Sequence, residues 1–238
     1  MSPQLRHKTA RLGAAFLLAA CAASAAAETV QLRYVSPAIA LATPLRLPPG
    51  TRSYYVGSYN LQIQAPVMSF QAYCVDPFQY ASTGYLTYEK SSLASFLSSS
   101  AQRLADVTSL IAHGYADSLG SATKAAGFQL ALWEVFNDNK DLTSGSVRKT
   151  SNTNAAAVAE ANSLLASLAA SSWTAPAANY ELTMYSNGQK QDFLAATPVL
   201  FPGNTTPVPE PEVAALTLTG LGLLGLLALR RRKSATPI

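Results

Sequence analysis

Histidine, cysteine and charge are scarce in this chain. Its 238 residues include two histidines and two cysteines, and only 13% are charged. Outside the N-terminal segment one of each remains, His113 and Cys74. A zinc site takes three or four ligands, so this pair does not make one. A lone cysteine has no internal disulfide partner, so it needs another explanation. Phosphate-binding glycine loops are missing too: Gly120, Gly127 and Gly145 lack the spacing and the following Lys-Ser/Thr. The run Asp138, Asn139, Asp141 departs from calcium-loop spacing and reads as a solvated turn. Neither a metal nor a cofactor is expected. Between 28 and 207 there are ten Lys/Arg against eleven Asp/Glu, with no basic cluster. The pI near 9.1 therefore comes from the two ends, and no nucleic-acid partner is expected.

Those ends read as targeting segments. Arg6, Lys8 and Arg11 precede an apolar stretch over 12–23, and Ala25-Ala26-Ala27 offers a small-residue cleavage site before Glu28. This is the pattern of a secretory signal peptide over 1–27. A competing lipobox-like run ends at Cys21, which would then be lipidated. Cleavage after Ala27 is the preferred reading, because a second anchor follows at the other end. There Val208-Pro209-Glu210-Pro211 precedes an uncharged run over 213–229, then Arg230, Arg231, Arg232 and Lys233. Its 17 residues lie at the short limit for a membrane span. The basic cluster would hold that end in the cytoplasm. The ordered tail resembles the PEP-CTERM sorting signal. That resemblance implies processing near Pro-Glu-Pro by an exosortase-type membrane protease. It also implies a transient membrane anchor through the C-terminal helix and a final location on the surface or in the matrix of a Gram-negative bacterium, together with exopolysaccharide and biofilm. The expected organisation is a signal peptide at 1–27, a domain at 28–197, a Pro-rich linker at 198–212 and a sorting segment at 213–238.

Within the domain the hydrophobic period changes twice. Over 31–74, short β-prone runs are punctuated by Pro44, Pro48-Pro49-Gly50, Gly57 and Pro66. Asp76-Pro77 opens a turn. Leu104, Val107, Ile111 and Tyr115 then fall on one helical face, with Gly114 and Gly120 bracketing its end. Further helices are expected over 123–136 and 154–169. A hairpin should follow, with strands at 180–185 and 191–194 about Asn187-Gly188. The fold class is α+β, a β-framework with an inserted helical segment.

Two segments carry the chemical interest. Phe70 to Asp76 puts Cys74 at the end of an apolar strand, and Phe128 to Glu134 puts Gln129 inside an apolar helix. A buried amide needs partners for its donors and acceptor, and a buried thiol is inert unless something lowers its pKa or consumes it. Together these segments resemble the thioester domain of bacterial surface adhesins. The resemblance implies that the Cys74 sulfur attacks the Gln129 side-chain carbonyl and expels ammonia. The product would acylate an amine- or hydroxyl-bearing matrix or surface molecule once, without enzymatic turnover. Trp133, at i+4 from Gln129, would shield the bond, and Asp76 would serve as a turn or proton-handling residue. Phe128 stands where the family commonly has threonine. Two alternatives stay open. One is a passive structural matrix module in which the pair is unreacted. The other is a thiol hydrolase using Cys74 and His113, oriented by Asn137 or Asn139. Tyr54, Tyr55 and Tyr59 could offer a carbohydrate-stacking surface, although strand aromatics are more often core.

Overall fold

The computed structural model describes residues 28–199. The signal peptide, the Pro-Glu-Pro motif, the apolar run over 213–229 and the Arg230–Lys233 cluster all lie outside them. The chain runs β1 (Glu28–Leu47), β2 (Gly50–Ile63), β3 (Met68–Cys74), β4 (Leu86–Ser92), α1 (Leu93–Phe96), α2 (Ala101–Ser118), α3 (Ala122–Asn137), β5 (Arg148–Lys149), α4 (Ala155–Ala170), β6 (Tyr180–Asn187) and β7 (Lys190–Pro198). The α+β class holds: a mostly antiparallel sheet accepts a helical insertion between β4 and β6.

The strands form a sheet in the order β2-β3-β7-β6-β4-β1-β5. Because β1 also pairs with β2, six of them close into a barrel-like ring with β5 attached to β1. Closure satisfies the backbone groups that an open edge would expose. Pro48 and Pro49 make the β1–β2 turn, as their chemistry demands. Tyr59, Leu61 and Ile63 are buried while Asn60 and Gln62 are not, the two-residue period of a one-sided strand. The ring closes most narrowly between β3 and β7, where only Tyr73↔Leu194 and Cys74↔Phe193 are paired.

The strands are longer than expected. Pro44 and Gly57 lie inside β1 and β2 rather than between strands. Gly57 sits beside an irregularity in the β1–β2 register, at φ +143°, and a side chain there would collide with the Ile39 carbonyl. Gly114 is likewise interior to α2, not at its end. A Cβ there would lie 3.2 Å from Leu164 and Phe128, so its smallness serves close helix packing. β4, β5 and the single-turn α1 had no expectation. The hairpin turn falls at Gly188-Gln189, one residue later than expected.

Helix α3 organises the interior. Every residue from Ala125 to Phe136 is buried, as expected for a helix apolar on all sides. Ser121 caps it by accepting from the Lys124 N–H. It packs against α2 and α4 on one side and against β1, β2 and β3 on the other. Val107, Ile111, Leu130 and Trp133 are buried as expected, and Leu104 packs half-buried at the margin.

Candidate functional site

Cys74 ends β3 at the narrow seam of the ring, and α3 lies across that seam. Gln129, Trp133 and Asn137 are spaced four apart, one face of α3. Gln129 is fully buried, and its carboxamide is paired in both directions with the Cys74 backbone. The Cys74 N–H donates to Gln129 Oε1 at 3.0 Å, and Gln129 Nε2 donates to the Cys74 carbonyl at 2.6 Å. Two turns further on, Asn137 Nδ2 donates to the Val75 carbonyl at 2.6 Å. On the other side, the Val75 N–H donates to the Asp192 carbonyl at 2.9 Å. The strand end is therefore held from both sides. The structure brings Cys74, Gln129 and Trp133 into one buried cluster.

Burial governs the thiol. Cys74 has no exposed surface, and desolvation pushes its pKa well above the ordinary value, with Asp76 and Asp192 adding in the same direction. The Trp133 indole N–H beside the sulfur works the other way. That N–H closes no hydrogen bond, so its influence is small beside burial. The sulfur itself donates to the Asp76 carbonyl at 3.2 Å. At neutral pH the group is a protonated thiol, not a free nucleophile.

Asp76 turns the chain after the thiol: its Oδ1 accepts from the Phe78 N–H at 2.9 Å. Phe128 packs on Tyr73 at 4.7 Å between ring centres, one residue before Cys74. His113 pairs through Nδ1 with the Ala175 carbonyl at 2.7 Å and stacks on Trp173 at 4.8 Å, and no hydrogen bond joins it to Cys74. Asn137 is tied to Val75 and Asn139 to Ser144. Neither orients His113. The oxygen-rich loop spends its carboxylates on itself, Asp141 on Thr143 and Ser144 and Asp138 on the N–H groups of Ser146 and Val147.

Two carboxyl groups escaped the sequence reading. Asp192 on β7 is half-buried, and desolvation, together with Asp76, raises its pKa to about 6 despite a hydrogen bond from the Asn187 N–H. It lies close enough to Cys74 to affect the thiol. Glu134 on α3 has no exposed surface, and burial followed by Asp138 raises it to about 7. Its Oε2 accepts from the Asp141 N–H, and its Oε1 has no partner. In sequence each is a single acid with no marked neighbour, Glu134 in an apolar run and Asp192 after Gln189-Lys190-Gln191, and only the tertiary fold brings Asp192 to the thiol.

Beyond Trp133 opens a cavity of about 500 Å³. Tyr54, Tyr55, Phe78 and Tyr80 form much of its wall, and Gln79 and Gln191 reach it as well.

No family model and no curated protein matches the sequence. Among solved structures the chain is similar to the N-terminal thioester domain of a surface protein from Clostridium perfringens, in a cysteine-to-alanine variant. Identity is 15% and TM-score 0.41, over 59% of this chain and 89% of that one. It is also similar to the N-terminal domain of the Streptococcus pyogenes pilus tip adhesin Cpa, at 16% identity and TM-score 0.41, over 60% of this chain and 85% of that one. Likeness at that level transfers no residue and no role.

Proposed function

We propose that the chain is an exported surface or matrix protein whose domain closes an internal thioester between Cys74 and Gln129 and spends it once, on an amine- or hydroxyl-bearing partner. The observation that supports this most is the two-way pairing of the Gln129 carboxamide with the backbone of Cys74. The residue that clamps the amide is the one that carries the buried thiol. The N–H donated to Oε1 polarises the carbonyl in the sense that attack requires. In the step, the Sγ–C bond forms, the C–N bond breaks, and the thiol proton leaves with the nitrogen as ammonia. An incoming amine then displaces sulfur, forms an amide, and returns its proton to Cys74. Asp192, with a pKa raised to about 6, is suited to carry that proton near neutrality.

A second reading has its own support. The same two hydrogen bonds satisfy a buried amide without any chemistry, which suits a passive module of a matrix. Intact mass separates the two. The thioester reading expects the exported protein to weigh one ammonia less than its sequence, to show no titratable thiol even when denatured until an amine opens the bond, and to gain the mass of methylamine when treated with it. Cys74→Ala and Gln129→Ala should abolish both the loss and the adduct. A full sequence mass together with a titratable thiol under denaturing conditions before any amine is added would leave only the passive module. Export through the signal peptide, exosortase-type processing and surface location in a Gram-negative bacterium belong to the same reading, supported by the sequences of the two ends.

A further inference from the structure

The cavity next to Trp133 is built for more than the reacting pair needs. It holds about 500 Å³, within the range of small-molecule sites. Its wall combines flat aromatic faces with exposure: Tyr55 is 59% exposed, Phe78 44% and Tyr80 63%. Large aromatics left open on a folded surface mark a contact site more often than chance placement does. Arg52 is the one charged side chain among the described residues lining it, and its guanidinium is held by the Tyr80 hydroxyl at 2.6 Å.

The wall also carries the polar side chains of Ser53, Gln79, Thr83 and Gln191 beside its tyrosines. A purely apolar ligand would leave these groups without partners. A lysine-bearing peptide would bring positive charge to a wall that holds Arg52 and no acid. A sugar ring fits all three features: its C–H face stacks on tyrosine, its hydroxyls can pair with the polar side chains of the wall, and it is neutral or acidic.

We propose that this cavity is a saccharide-binding site, and that the nucleophile delivered to the Cys74–Gln129 pair is carried on a neutral or acidic glycan. The second clause rests on the thioester reading; the first does not. Trp133 is the shared wall. It lines the cavity on one side and lies beside the Cys74 sulfur on the other.

Two measurements on the exported protein test the proposal. The first titrates tryptophan fluorescence with cellotetraose and with tetragalacturonate, using Cys74→Ala to keep covalent chemistry out. A saturable change with either sugar is expected, lost in Tyr55→Ala and Tyr80→Ala, whose exposed side chains can be removed without opening the core. No saturable change with either sugar, or a change that both variants retain, overturns the saccharide site. The second measures adduct formation by mass with glucosamine and with ethanolamine. The glucosamine-to-ethanolamine rate ratio should fall about tenfold in Tyr55→Ala, since stacking on one ring is worth about a tenfold preference. An unchanged ratio overturns the link between the cavity and the reacting pair. If neither amine adds while sugar binding saturates, the thioester reading fails and the saccharide site stands.

Discussion

At Gln129 a single side chain holds two backbone groups that water cannot reach. In the unreacted chain, Gln129→Ala leaves the Cys74 N–H and carbonyl unpaired, and about 2–5 kcal/mol of stability should be lost. Cys74→Ser keeps the backbone pairing and should melt within a few degrees of the unreacted parent while losing any adduct. Thermal melts of both variants check this. The neighbouring Trp133→Ala, which removes a large buried ring, should cost about 3–5 kcal/mol. Glu134 makes a pH prediction. Its folded pKa is about 7, above the ordinary carboxyl value near 4.3, so the folded state binds more protons than the unfolded between about pH 4 and 7. Stability therefore falls as pH rises through that window. Melting temperature should drop from pH 5 to pH 8, and Glu134→Gln should flatten the slope. A slope unchanged in that variant would assign it to Asp192, raised to about 6 by the same cause. The sequence exposed Cys74 and Gln129 because a thiol and an amide stand out in apolar runs. It hid Asp192 and Glu134 because an acid becomes unusual only when the fold desolvates it.

Among elements, α3 decides the site. Its face at 129, 133 and 137 meets the end of β3, while its opposite side meets α4 at Gly127. A Cβ on Gly127 would press on Glu160 and lie 3.0 Å from the Ala157 carbonyl, which is backbone and cannot yield cheaply. Gly127→Val should push α3 off α4, cost about 1–3 kcal/mol and disturb the Gln129 pairing. Circular dichroism melts give the cost, and the rate of amine adduct formation gives the displacement. A melt within about 0.5 kcal/mol of the parent would show that the helices are not in close contact there. The same packing shows what periodicity reveals. The helices at 101–118, 122–137 and 155–170 were legible because apolar spacing near 3.6 survives burial. The strand ends were not, since Pro44 and Gly57 usually punctuate strands, and only the β1–β2 register makes them interior features. β4 was invisible for a related reason: Leu86–Ser92 carries Thr87, Glu89, Lys90, Ser91 and Ser92, and Tyr88 alone is buried in it.

For the whole molecule, positive charge is concentrated towards the two ends. The full chain has a pI near 9.1 and a formal charge of +4. Seven of its 17 basic residues lie in the expected signal peptide and sorting tail, and the chain between 28 and 207 sits near −1. Strand β1 starts at Glu28, whose carboxylate meets Lys90 of β4 at 2.9 Å. A cut after Ala27 therefore leaves all the described strand pairing in place. That pair is solvent-exposed and worth at most about 1 kcal/mol, so losing it alone would cost little stability. If both ends are removed, the exported form should focus below pH 7, about two pH units or more under the precursor. It should begin at Glu28 and end between Pro209 and Pro211. Isoelectric focusing with terminal sequencing reads all three at once. A lipid-bearing Cys21 at the N-terminus would replace the signal-peptidase cut with lipoprotein processing. Retention of Arg230–Lys233 on the surface form would keep the protein basic and would remove the sorting interpretation of its tail.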